Sequence, residues 1–247
     1  MLLSLSAAVV VACGEAEPQP LVLEPAPAKP AGKPIDLDLP RDPSGAFEFA
    51  RWPRACDLLT DADIKTMLPQ LTQVKREPED QEISLLPEIS NDAVPAPERR
   101  VTAKGANCTY RLQLPAAGLR DRDDTPGSSG ASLVVSVDYA GTPKAVKQNF
   151  EPGLDPIRLK VPAGRCYGED NDSGVSCRKE SLAFSISSDI QPVEFEGSKF
   201  KSEGRKSIAR YRVKGKTTTF TDGVLRSNKF LRDHLSVELV KTVLAKI

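Results

Sequence analysis

The chain reads as an α+β domain: an antiparallel sheet with a few helices packed on one face, one of them a C-terminal amphipathic helix. Three observations lead there. Leu133-Val134-Val135-Ser136-Val137-Asp138-Tyr139 is dense in β-branched and aromatic residues and is the strongest strand signal in the chain. Leu231, Leu235, Leu239, Val240, Val243, Leu244 and Ile247 recur at helical spacing. The strand-like segments between these two regions are separated by loops of hairpin length, which favours an antiparallel sheet with segregated helices over an alternating α/β order.

In chain order, residues 2–12 come first, an apolar run broken only by Ser4 and Ser6. The run is too short to span a bilayer but has the length of the apolar part of a secretory signal. It ends in Val10-Val11-Ala12-Cys13-Gly14. This resembles a bacterial lipobox, in which the cysteine sulfur takes a diacylglyceryl group and becomes the first mature residue. Residues 1–12 are therefore expected to be a lipoprotein signal peptide and Cys13 the lipidation site. No Lys or Arg precedes the apolar run, so the natural start is expected upstream. Residues 13–53 carry eight prolines from Pro18 to Pro43 with neither helical nor strand period. They are expected to form an extended, semi-rigid linker; about 35 residues of it would reach on the order of 100 Å.

The globular domain is expected over residues 54–247, long enough for one substantial core. Thr60 is placed to cap a short helix through Leu68, with acidic Asp63 at its third position and Pro69 stopping it. Residues 77–106, with Pro78, Pro87, Pro95 and Pro97, read as loop. Cys108, Tyr110, Leu112 and Leu114 alternate as one face of a strand. Residues 121–130 read as a polar loop. Thr142-Pro143 supplies an N-cap and a proline at the first helical position for a helix to about Phe150. Strands are expected at 157–161, 175–178, 182–187, 208–213 and 217–221, then the C-terminal helix.

Four cysteines remain beyond Cys13: Cys56, Cys108, Cys166 and Cys177. An even set on the secretory route reads as two disulfides, with three possible pairings. Cys56–Cys108 and Cys166–Cys177 are favoured, because the second pair brackets the turn-rich Gly168 to Gly174 and the first ties the short helix to the first strong strand. No Cys-x-x-Cys spacing supports zinc or redox chemistry.

Arg54-Ala55-Cys56-Asp57-Leu58-Leu59-Thr60-Asp61-Ala62-Asp63-Ile64 resembles the opening motif of a family of uncharacterised actinobacterial envelope lipoproteins. A cysteine before Thr and an aromatic, as in Cys108-Thr109-Tyr110, a later hairpin strand like 175–187, and a closing helix like 230–247 belong to the same likeness. Cys166, Cys177 and the basic segment near residue 210 depart from it. The resemblance implies an envelope location and a non-catalytic domain, with no established ligand.

The chain has 34 basic and 34 acidic side chains, 21 prolines, five cysteines and one histidine among 247 residues. A zero balance argues against nucleic acid as a partner. The single histidine, His234, excludes multi-histidine metal and catalytic sets, and reads as a helix-flanking residue. Neither a nucleophile elbow nor a phosphate-binding glycine loop is present, and Gly127-Ser128-Ser129-Gly130 reads as loop. Residues 169–174 have a calcium-loop composition without its acidic spacing, and read as a solvated turn. No cofactor and no metal are expected.

The zero conceals an asymmetry. Residues 13–98 hold 17 acidic and 8 basic side chains; residues 99–247 hold 26 basic and 17 acidic. Within the basic part, Arg210, Arg212, Lys214 and Lys216 alternate with Ala209, Tyr211, Val213 and Gly215, which on one strand puts four cations on one face. That face is the candidate contact for an anionic envelope component or an acidic protein partner. The expectation is a lipid-anchored, non-enzymatic binding or interaction module on the extracellular face of the cell membrane. The alternatives are an envelope hydrolase with an unrecognised site, and an accessory subunit of an envelope complex.

Overall fold

A computed structural model of the chain describes residues 20–85, 99–114, 131–150, 156–190, 194–195, 207–221 and 224–247. Cys13 and the signal segment, the 121–130 loop, and the basic residues 199–206 lie outside the described residues. The strands are β1 (Leu21–Leu23), β2 (Gln73–Leu85), β3 (Arg99–Gln113), β4 (Ser132–Ala140), β5 (Ile157–Leu159), β6 (Arg165–Gly168), β7 (Val175–Lys179), β8 (Leu182–Asp189), β9 (Glu194–Phe195), β10 (Ser207–Val213) and β11 (Lys216–Thr221). The helices are α1 (Ala55–Leu58), α2 (Asp61–Met67), α3 (Pro143–Asn149), α4 (Val224–Leu231) and α5 (Val237–Leu244), with a π-helical stretch, Arg232–Ser236, joining the last two.

The architecture is α+β. Seven strands form one antiparallel sheet in the order β2-β3-β4-β8-β7-β6-β5. Alternation decides its two faces. Tyr110, Leu112, Leu133, Val135, Val137, Phe184 and Ile186 point to one side and are buried; α1 and the C-terminal helix cover them, and α2 packs on α5. Asn107, Thr109, Ser136, Ser176 and Ser185 point to the other side. The end of α3 lies there, where Phe150 meets Tyr167 and the Arg178 guanidinium.

The local chemistry of the helices follows the sequence. Thr60 accepts from the Asp63 amide while the Asp63 carboxylate accepts from the Thr60 amide, a closed capping box. Thr142 caps α3 through the Ala145 amide, with Pro143 at the first position. The C-terminal helix starts at Val224, earlier than its apolar stripe indicates.

Two expectations are corrected. Residues 77–85 and 99–106, read as loop, lie in the long antiparallel pair of β2 and β3, while residues 86–98, with Pro87, Pro95 and Pro97, lie outside the described residues. Pro78 lies on β2, the edge strand of the sheet, which is where a strand tolerates a proline. The second correction concerns the linker: from Pro20 onward it is part of the domain. β1 pairs parallel with β10, and Leu21, Leu23, Phe47 and Trp52 are buried in the core. The backbone is fastened at intervals: the Glu24 amide to the Met67 carbonyl (2.9 Å), Ala26 to the Glu238 carboxylate (2.9 Å), Ala31 to Asp63 (2.7 Å) and Ile35 to the Lys246 carbonyl (2.9 Å). Prolines carry no N–H, so a proline-rich strap satisfies its few donors one at a time and needs no regular period.

β1, β9, β10 and β11 make a second, smaller sheet. Its inward residue Tyr211 packs with Phe220 and Phe230 at ring separations of 5.3–6.0 Å and donates to the Ile190 carbonyl. This aromatic knot joins the small sheet to the C-terminal helix.

Candidate functional site

Both disulfides form in the favoured pairing. Cys166 and Cys177 are direct cross-strand partners of β6 and β7, and Cys56 joins α1 to Cys108 on β3. Each contributes about 2–4 kcal/mol. Both fit a domain that folds outside the cytosol. Among the described residues, no helix is long and apolar enough to cross a membrane, and no cluster of three or more His, Cys, Asp or Glu is placed to hold a metal ion.

The four-cation face is corrected by the turn that follows it. β10 ends at Val213, and Lys214 and Gly215 occupy the two central turn positions with φ of +48° and +77°. Positive φ at both positions is the two-residue hairpin geometry, which Gly215 adopts without strain. Val213 pairs with Lys216, Tyr211 with Thr218, Arg212 with Thr217 and Arg210 with Thr219. Arg210 and Arg212 therefore share a face with Thr217 and Thr219, Lys214 sits at the tip, and Lys216 projects on the Tyr211 side. The cations form a basic tip and one basic face. Arg212, Lys214 and Lys216 are exposed, while Arg210 is half-buried and engaged within the protein.

A cleft of about 390 Å³ opens between the strap, α1 and β2. Pro34, Ile35, Pro53, Leu58 and Leu59 give it an apolar lining, and Lys33, Asp36, Arg54, Asp57 and Arg76 stand around it. The stem of Arg54 runs against Gly105, where a Cβ would stand 3.5 Å from its Cγ. Arg76 is held by Asp61 (2.6 Å) and by the Cys56 carbonyl, with its guanidinium over the Tyr110 ring. The side chains of Lys33, Arg54 and Asp57 make no hydrogen bond or ion pair among the described residues. The cleft's one hydroxyl, Thr60 Oγ1, is committed to Asp63 (2.8 Å). Beneath it, Tyr110 points its hydroxyl at the carbonyls of Ala55, Cys56 and Leu59, and burial raises that hydroxyl's pKa. The sequence names Cys56, Leu58 and Leu59 as a motif but carries no sign of this cleft, because half of it comes from the strap.

The surroundings of two carboxylates, buried Asp63 and half-buried Asp138, also escape a reading of the sequence. Asp63 is closed in by Lys246 Nζ (2.7 Å), the Thr60 amide and hydroxyl, and the Ala31 amide. Burial alone would push its pKa up, but these donors, Lys246 first, outweigh that and hold it below the ordinary carboxylate range. Asp138 is the extra residue of a β-bulge in β4, between Val137 and Tyr139. Among the described residues its hydrogen-bond partner is the Ser185 hydroxyl (3.0 Å), and burial pushes its pKa up to about 6.

His234 is half-buried on the C-terminal helix, its ring 4.3 Å from that of Phe230. Burial lowers its pKa and nearby Lys214 adds to that, against Asp233 and Glu238. Residues 169–174 form a turn tied to the same helix: Asp170 pairs with Lys229, the Glu169 carbonyl accepts from Arg232, and Asp172 accepts from the Gly174 amide. Comparison with family models, with curated protein sequences and with solved structures found no match.

Proposed function

We propose that the protein is a lipid-anchored, extracellular, non-enzymatic binding module of the cell envelope, akin to the actinobacterial lipoproteins that its opening motif resembles. The observation that carries this reading is the cleft between the strap and α1. It combines an apolar lining with cationic Lys33 and Arg54, which form no ion pair with Asp36, Asp57 or any other described residue. Its one hydroxyl is locked in a capping box, so the cleft offers charge and apolar surface to a ligand rather than a nucleophile. Its walls are rigid, since the Cys56–Cys108 disulfide, the Thr60–Asp63 box and the Asp63–Lys246 pair all lie beside it. Preformed clefts of this size suit small ligands, here one with an anionic group and an apolar body.

Two measurements test the two halves of the reading. Cys13→Ala is expected to release the protein from the membrane into the medium; unchanged retention overturns the anchor. Native mass spectrometry of the protein extracted from its own membranes is expected to show a bound small molecule that Lys33→Glu/Arg54→Glu loses. Identical spectra for the folded wild type and variant overturn the cleft as the binding site.

A further inference from the structure

We infer that the β10–β11 hairpin docks onto the anionic surface of the membrane that anchors the chain, so that the domain lies against the leaflet instead of standing away from it. This rests on the reading of Cys13 as the acylated residue. Three observations lead to it.

The first is tether length. Because the strap belongs to the domain from Pro20 onward, Cys13 stands only seven residues along the chain from a residue packed in the domain. Seven Cα steps span at most about 25 Å. The second is where the tether leaves. β1 runs parallel to β10, with Leu21 opposite Tyr211 and Val22 opposite Arg212. The chain therefore departs toward Cys13 from beside the basic face, and the whole hairpin lies within reach of the surface in which Cys13 is held. The third is charge. Residues 207–221 contain Arg210, Arg212, Lys214 and Lys216 and no Asp or Glu. Arg212, Lys214 and Lys216 are exposed, and Thr217 and Thr219 share the face of Arg212 with hydroxyls that suit headgroup oxygens.

Anionic surface potential decays within about a Debye length, roughly 8 Å at physiological salt, so cations contribute only when a tether keeps them close. Each Lys or Arg at such a surface strengthens association about fivefold. An acyl anchor together with a basic patch is a two-signal arrangement in which the patch sets orientation.

The test uses the full chain recovered acylated from membranes and reconstituted into phosphatidylglycerol–phosphatidylcholine vesicles, or into phosphatidylcholine alone. A fluorophore on Thr219→Cys reports proximity to quencher-bearing headgroups. Strong quenching is expected in the anionic vesicles, lost at high salt and absent in neutral ones. Arg212→Gln/Lys214→Gln/Lys216→Gln is expected to lower the docked-to-undocked ratio about a hundredfold while leaving flotation with the vesicles intact. All three side chains are exposed, so the fold does not depend on them, and near-ultraviolet circular dichroism verifies it. Quenching that ignores lipid charge or survives the triple substitution overturns the docking, even if an acidic protein or phosphorylated glycan is later found on the hairpin. If the protein fails to float with either vesicle at high salt, the anchor is what fails. Docking is then judged by low-salt sedimentation with anionic vesicles: binding that the triple substitution abolishes upholds the surface, and absence of binding overturns it.

Discussion

Asp63 and Asp138 are carboxylates withdrawn from solvent on opposite faces of the large sheet, and their surroundings treat them in opposite ways. Asp63 sits where the strap, the start of α2 and the C-terminus converge, and it receives an ammonium, a hydroxyl and two amides. Asp138 sits on a bulge of β4 with the Ser185 hydroxyl. The first is held below the ordinary carboxylate range; the second is raised to about 6. The comparison teaches that burial alone does not decide what an ionised group does to stability. The number and charge of the donors around it decide, and those donors come from three chain segments at Asp63 and from one neighbouring strand at Asp138.

The largest expected effect breaks the Asp63 side. Lys246→Met keeps the volume of the lysine stem but leaves Asp63 charged and without its cation. Loss of one partner of a buried ion pair costs about 3–5 kcal/mol, so the urea midpoint is expected to fall steeply. Asp63→Asn/Lys246→Met, which removes both charges, is expected to recover a large part of that loss. If Lys246→Met alone lowers the unfolding free energy by less than about 1 kcal/mol, the junction is not held by this pair.

How far these sites are legible in the sequence depends on the range of the interaction. The capping box of Thr60 and Asp63 spans four residues and can be read directly, as can the alternation of residues 108–114 and 133–139. Favouring Cys166–Cys177 needs only an 11-residue hairpin. The Asp63–Lys246 pair spans 183 positions, and nothing near Lys246 marks it as a core residue. The strap has no period because its polar groups are satisfied singly, so its burial is invisible to pattern reading. Pro78 reads as loop because edge placement, which excuses it, is a property of the finished sheet. The cation face failed for a local reason: the Lys214-Gly215 turn reverses the chain and carries Lys216 to the other side, although Gly215 was in plain view as a turn residue. The bulge at Asp138 has no sequence mark, since the residue fits the alternation of an unbroken strand.

The next effect in size sharpens the Asp138 side and has a pH signature. With a folded value near 6 and an unfolded value near 3.9, the carboxyl is protonated in both states well below pH 4 and there costs nothing. The cost appears as pH rises through 4 to 6 and is complete above that. Asp138→Asn keeps an acceptor for Ser185 and removes the charge. It is expected to stabilise the protein by about 1–2 kcal/mol at pH 7.5, the shift being discounted for partial exposure, and to change nothing at pH 3.5. Asp63 gives the opposite slope. Its contribution is present above the unfolded value and lost as pH falls through the lowered folded one, so Asp63→Asn is expected to destabilise at pH 7.5 and progressively less below pH 4. Parallel pH profiles for the two variants would erase the distinction between the sites.

The smallest expected effect isolates the one side-chain donor that Asp138 has among the described residues. Ser185→Ala deletes a hydroxyl on β8 whose hydrogen bond to Asp138 partly offsets the burial of that carboxylate. Without it the carboxyl should titrate above 6, visible as an upward shift in its carbon resonance titration. Stability at pH 7.5 should fall by about 1 kcal/mol, the net worth of a single hydrogen bond. The loss should shrink at pH 3.5, where the protonated acid no longer needs a donor. In the Asp138→Asn background the same serine substitution should cost less at pH 7.5 than it does beside the charge. Equal losses in the two backgrounds would mean that Ser185 serves the sheet alone and that the raised pKa of Asp138 owes nothing to the poverty of its donors.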